Sequence, residues 1–235
     1  MIVVATILPE SHKPDESVSL KVRPIFRGFR LIFQEPQFYT YVLSGAVAFS
    51  GLFAYLAGSP VIFMKVFAVS AQTYGWMFAI IAAGLIGASQ VNVLLLKRFT
   101  NEQILQTAYV SQAATGLLFL VGTFFGWYGI TSTVILLFVF LSCLGFTNPN
   151  SAALALAPFA KNAGRAAALM GFLQMSIGAI TSTAVGLFDV QEVLPVAMIM
   201  SATSSLALGI LWFGRRRLVS SPSVTESALE ISFKN

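Results

Sequence analysis

The side chains inside this chain that could do chemistry are carboxamides. Gln90, Asn92, Gln112, Asn148, Asn150 and Gln174 sit within long apolar blocks, and no Asp, Glu, Lys, Arg or His falls at the centre of any block. A carboxamide donates and accepts hydrogen bonds but does not titrate. It can tie two helices together or offer donors and acceptors to a ligand. It cannot carry a proton. Intramembrane proton relays and ion pathways need an ionisable group. Intramembrane hydrolases and metal-dependent membrane enzymes need carboxylates, histidines or a nucleophile with a base. The inventory therefore argues against an enzyme and against a self-contained proton-coupled pump. Cys143 lies in an apolar block and His12 in a polar segment. One cysteine allows neither a disulfide within the chain nor a multi-cysteine metal site, and no metal or cofactor is expected.

Interhelical hydrogen bonding is the simplest role for each carboxamide. The alternative is a polar group lining a substrate cavity. Gln174 fits that best because it lies near the middle of its block, whereas Gln90 and Asn92 lie near an end. Phe146 to Ala153 read FTNPNSAA. A proline between two asparagines at depth marks a broken or kinked helix, tolerated only where it is buried in protein or lines a cavity, and broken helices in transporters often form the substrate site. Phe53, Tyr55 and Phe172 could line an apolar cavity, though packing or contact with lipid is the commoner role of any one Phe. Ala167, Gly171, Gly178, Ser182 and Gly186, and likewise Gly84 and Gly87, read as small residues that let a neighbouring helix approach. Trp76, Trp127 and Trp212 fall near block ends, where an interfacial belt is expected.

The elements that must position these groups are transmembrane helices. Of the 235 residues, 57% are hydrophobic and 10% charged, against about 25% charged in soluble domains; mean hydropathy is +0.81. The apolar residues form blocks of the roughly 20 residues that cross a bilayer as a helix. Six spans are expected, at 38–61, 71–96, 104–125, 130–156, 166–187 and 193–213. Pro60 marks the end of the first or a kink in it. Ser70 caps the second, a tight turn at 126–129 separates the third and fourth, and Arg215, Arg216 and Arg217 stop the sixth. The Lys and Arg residues divide thirteen to one between alternate connectors, with Lys65 alone on the minority side. This places both ends in the cytoplasm by the positive-inside rule. It also explains the net charge of +5 without nucleic acid as a partner. Residues 1–8 are an apolar stub, too short to span and lacking the features of a signal peptide. Residues 9–37 form a polar linker with an amphipathic segment, 38–213 a six-helix bundle, and 214–235 a cytoplasmic tail expected to be disordered.

The run FAYLAGSPVIFMKVFAVSAQTYGWMFA, from Phe53 to Ala79, resembles the seventh-to-eighth helix region of the Bcr/CflA drug-resistance transporters of the major facilitator superfamily. TNPNSAALALAPFAKNAGRAAALMGFLQM, from Thr147 to Met175, is similar to that family's tenth-to-eleventh helix segment, with AG-x-A-x-A-L-x-G-x-x-Q-M its most specific part. LPESH, from Leu8 to His12, resembles the family's exit from helix six. The resemblance implies an all-α integral membrane protein corresponding to the C-terminal six-helix bundle of a twelve-helix transporter, in a bacterial inner membrane. It implies efflux of small hydrophobic drug-like compounds by proton antiport, with stub 1–8 as the end of a truncated sixth helix. The cavity wall would include Phe53, Tyr55, Phe146, Asn150 and Gln174. Nothing matches the proton-coupling charges of the family's other half, and LLLKRFTNE, from Leu94 to Glu102, is a degenerate form of its signature loop. Transport is therefore expected to need a separate N-terminal half; a non-transporting fragment is the alternative.

Overall fold

The computed structural model describes residues 34–159, 162–188 and 192–220, with Phe29 and Ile32. The stub 1–8, nearly all of the linker with its amphipathic segment, and 221–235 lie outside the described residues. Six helices are long and apolar enough to cross a membrane. They are α1 (Pro36–Pro60), α2 (Ala71–Leu95), α3 (Asn101–Phe124), α4 (Ile130–Leu156), α5 (Ala163–Leu187) and α6 (Leu194–Ser220). A π-helical turn, Val61–Val66, extends α1, and a 3-10 turn, Ala157–Phe159, follows α4.

Local chemistry accounts for the starts and turns. Pro36 opens α1, where a missing N–H costs nothing. The Ser70 hydroxyl accepts from the Thr73 N–H at 3.2 Å and caps α2 as expected. Thr100 and Gln103 form a capping box at the start of α3, each side chain accepting from the other's N–H. Between α3 and α4 the chain reverses through Gly126 at φ +67°, a conformation glycine adopts without penalty.

The α-helix of α1 ends at Pro60 as expected, and the chain runs on as a wider π-helical turn in which the Phe67 N–H donates to the Ile62 carbonyl five residues back at 3.0 Å. Two features differ from the sequence-based expectation. α4 is not interrupted, since it runs through Asn148, Pro149 and Asn150 as one helix. The arginine cluster does not stop α6, which continues through it to Ser220, so 214–220 are helix rather than tail. Arginine is a good helix former whose apolar stem can lie along the helix while its head reaches water. The Arg216 guanidinium lies 3.7 Å over the Trp212 ring, and Arg215 donates to Glu102 of α3 at 3.3 Å.

Four helices close a ring in which α1 packs on α4, α4 on α3, α3 on α6 and α6 on α1. α5 flanks the ring along α1 and α2 flanks it along α4. The flanking helices are the least buried: 22% of the most apolar stretch of α2 and 17% of that of α5, against 39–56% for the others. Tyr109, Phe119, Phe140, Leu105 and Leu137 fill the ring. In lipid such a core is held by close packing and interhelical hydrogen bonds rather than by water exclusion. Gln112 contributes one such bond, donating to the Ala48 carbonyl of α1 at 3.4 Å. Gln37 donates to Leu154 O at 2.8 Å, and Arg215 meets Glu102, so the starts of α1 and α3 share an end with the finishes of α4 and α6. Short connectors bring the finish of α2 and the start of α5 to the same end. That end carries Lys97, Arg98, Arg165 and Arg215 to Arg217; among the described residues the other end has only Lys65 as a cation.

Candidate functional site

The chemistry available inside the bundle gathers on α4 around its NPN sequence. Pro149 has no N–H, so the Gly145 carbonyl four residues earlier loses its helical partner. Ser89 of α2 supplies a replacement: its hydroxyl lies 3.2 Å from Gly145 O and 3.1 Å from its own Leu85 O. The one hydroxyl proton is shared between the two carbonyls, and the Gly145 carbonyl is given a donor where α4 passes the proline. The approach depends on glycine, since a Cβ at Gly145 would stand 2.7 Å from Ala88 Cβ and 2.9 Å from the Ser89 nitrogen.

Residues two apart on a helix project about 200° from each other, so Asn148 and Asn150 serve opposite neighbours. Asn150 Nδ2 donates to Asn92 Oδ1 of α2 at 2.7 Å and to Phe146 O at 2.7 Å. Both asparagines are buried, at 1% and 3% exposure, where unpaired amides would be costly. On the α5 side, Gln174 Nε2 donates to Asn148 Oδ1 at 3.0 Å. This second pair is only half-buried. Asn148 Nδ2 and Gln174 Oε1 make no hydrogen bond to other described residues, so the pair can still offer three N–H donors and the Gln174 Oε1 acceptor.

The five expected wall residues are not gathered at one point. Phe53 packs its ring over Gly178, one turn along α5 from Gln174, so Phe53, Asn148 and Gln174 lie together where α1, α4 and α5 meet. Tyr55 is buried and stacks on Phe78 of α2 with ring centroids 5.9 Å apart. Asn150 is buried against α2. Phe146 borders a groove of about 290 Å³ with Leu95, Phe99, Ile104 and Cys143. Phe172 is exposed on α5. Of the other carboxamides, Asn92 and Gln112 join helices and Gln90 is exposed.

The small-residue series serve packing only in part. Gly178 faces Phe53, and Gly84 faces Phe138 and Ser142. Gly171 and Gly186 on α5 and Gly87 on α2 have nothing within 4 Å of where a Cβ would be. Sequence reasoning missed Ser89 and the Asn148 to Gln174 pairing. A signal for Ser89 existed, because Pro149 obliges some neighbouring span to provide a donor.

Six apolar helices, four in a ring and two flanking it, with carboxamides among their internal polar links, define a multi-pass membrane protein. The sequence profile of the Major Facilitator Superfamily matches residues 1–183, and the chain belongs to that superfamily. It is 24% identical over 211 residues to the bicyclomycin resistance protein homolog of Haemophilus influenzae, covering 90% of this chain and 53% of that protein. It is also 24% identical over 219 residues to the uncharacterized MFS-type transporter YdgK of Bacillus subtilis, covering 91% of this chain and 52% of that protein. The chain thus spans about half the length of the curated relatives it matches.

Proposed function

We propose that this chain forms one half of an efflux transporter for small hydrophobic drug-like compounds and works with a second six-helix half. The half-buried Asn148–Gln174 pair carries the reading: a neutral hydrogen-bonding group, beside the Phe53 ring, on the weakly buried side of the bundle. Ligand sites of this kind are mostly apolar with a few placed polar groups. In major facilitator proteins two halves rock about a site near the bilayer midplane. The bicyclomycin resistance named for one relative supports a drug as substrate. The span centres lack ionisable side chains, so the proton in a drug:proton antiport would be carried by the other half. The role is transport rather than catalysis. The basic end of the bundle supports a bacterial inner membrane orientation with that end, and both termini, in the cytoplasm.

The test is reconstitution. The chain, fused to the N-terminal half of the Haemophilus influenzae relative, is placed in vesicles and loaded with bicyclomycin or a hydrophobic dye. An imposed pH gradient should drive the compound against its concentration gradient. Movement indifferent to the gradient would refute antiport, and no movement of any compound would refute the transporter half.

A further inference from the structure

Beside the Asn148–Gln174 pair, the aromatic part of the wall is seated on a glycine. Gly178 is buried on α5, one turn along from Gln174. A Cβ built on it would stand 2.5 Å from Cδ2 and Cε2 of Phe53 and 3.0 Å from its Cγ. The Phe53 ring thus occupies the space that a side chain at 178 would need. Phe49, one turn earlier on α1, meets that ring edge-on, with centroids 5.9 Å apart at 74°. Both rings are half-buried, as are Asn148 and Gln174. The Phe53 ring therefore has α5 behind it and Phe49 beside it, and its free side is the open side of the bundle. Gly171 and Gly186 on the same helix have nothing within 4 Å of where a Cβ would be, so the seat is particular to Gly178.

We infer that Gly178 sets the depth of this site and thereby the size of planar compound it admits. The inference rests on the Asn148–Gln174 pair being part of a drug site. The recessed ring offers an aromatic face for offset stacking on a planar ligand. The amide pair offers N–H donors to a carbonyl on the same ligand. The class of compound is then a fused planar ring that carries an amide or carbonyl group. With a side chain at 178, the near edge of the Phe53 ring must move about 1 Å to reach ordinary carbon contact. Phe49 and α5 close two directions, so the ring swings into the space beside the amides. A wide ligand loses its place there before a narrow one does. A methylene-sized change in an apolar pocket is worth about 10- to 200-fold in discrimination.

The full chain, fused to the N-terminal half of the Haemophilus influenzae relative, is reconstituted in vesicles. Its export of bicyclomycin or a hydrophobic dye is inhibited with naphthalene-1-carboxamide or with the wider pyrene-1-carboxamide. Gly178→Ala should raise the half-inhibitory concentration of the pyrene amide about tenfold relative to that of the naphthalene amide. In a Phe53→Leu background the same substitution should leave the ratio unchanged, because no ring is there to be displaced. Gly186→Ala, which fills open space on the same helix, should also leave it unchanged. If Gly178→Ala does not fold, Phe53→Leu alone decides, since the deeper seat should lower the ratio. Equal effects of Gly178→Ala on both amides, an effect that persists without the Phe53 ring, a ratio that Phe53→Leu does not lower, or export that neither amide inhibits would overturn the assignment and leave the transporter reading standing. No export by the parent would remove that reading, and this one with it.

Discussion

Gly145→Ala should strike the contact between α2 and α4 where α4 passes its proline. Its new Cβ would lie 2.7 Å from Ala88 Cβ, whereas ordinary carbon contact is about 3.7 Å, so α2 and α4 must separate by about 1 Å. The same movement would stretch the Asn150–Asn92 bond from 2.7 Å to about 3.7 Å and the Ser89–Gly145 contact from 3.2 Å to about 4.2 Å, both beyond hydrogen-bonding range. Overpacking costs about 1–3 kcal/mol and each interhelical bond is worth about 0.6 kcal/mol. The expected destabilisation is therefore about 2–4 kcal/mol. Gly87→Ala, on α2 with nothing within 4 Å of its Cβ, is the matched control, because both variants gain the same helix propensity. Equilibrium unfolding of the full chain in mixed micelles, titrated with sodium dodecyl sulfate, measures the difference between them. Two variants agreeing within about 0.5 kcal/mol, the usual span of a neutral change, would show that the seam is not packed as described.

Other outcomes follow from the same geometry. Asn92→Ala and Asn150→Ala should each cost about 1–3 kcal/mol by stranding a buried amide, and the double variant should cost little more than the worse single; additive losses in the same titration would contradict a shared bond. In the fused transporter, Gln174→Ala should shift the half-inhibitory concentration of at least one drug by about two- to tenfold, the worth of one hydrogen bond, and unchanged tolerance across several drugs would remove Gln174 from the wall. With Cys143 replaced by Ala, a cysteine at Lys65 should react with an impermeant thiol reagent added outside intact cells and one at Lys97 should not. The reverse pattern would invert the topology.

Much of the fold was legible because its signals are local. Span length is read from one continuous apolar run, and the Ser70 cap and the Gly126 turn depend on residues within one turn of each other. Pro149 was not legible in that way. Its neighbours announce a break, but the donor given to the Gly145 carbonyl is Ser89, on another span. The same holds for the glycines: Gly178 packs and Gly171, two turns away, does not, because spans apolar all round leave their rotation to be set by neighbours. Arg215 to Arg217 read as a stop because composition says nothing of Glu102, which Arg215 meets on α3, or of the Trp212 ring under Arg216. The wall residues were chosen by type and depth. Depth does not say which side of α4 a residue serves, so the expected wall takes in Asn150 and leaves out Asn148, although it is Asn148 that meets Gln174.

The central claim is that this bundle supplies one half of an export pathway. Drug accumulation in intact cells tests it most directly, with the chain expressed alone, with the N-terminal half of the Haemophilus influenzae relative expressed alone, and with both together. Accumulation of bicyclomycin or a hydrophobic dye should fall only when both are present. A fall with this chain alone, or none with the pair when both are in the membrane, would contradict the account.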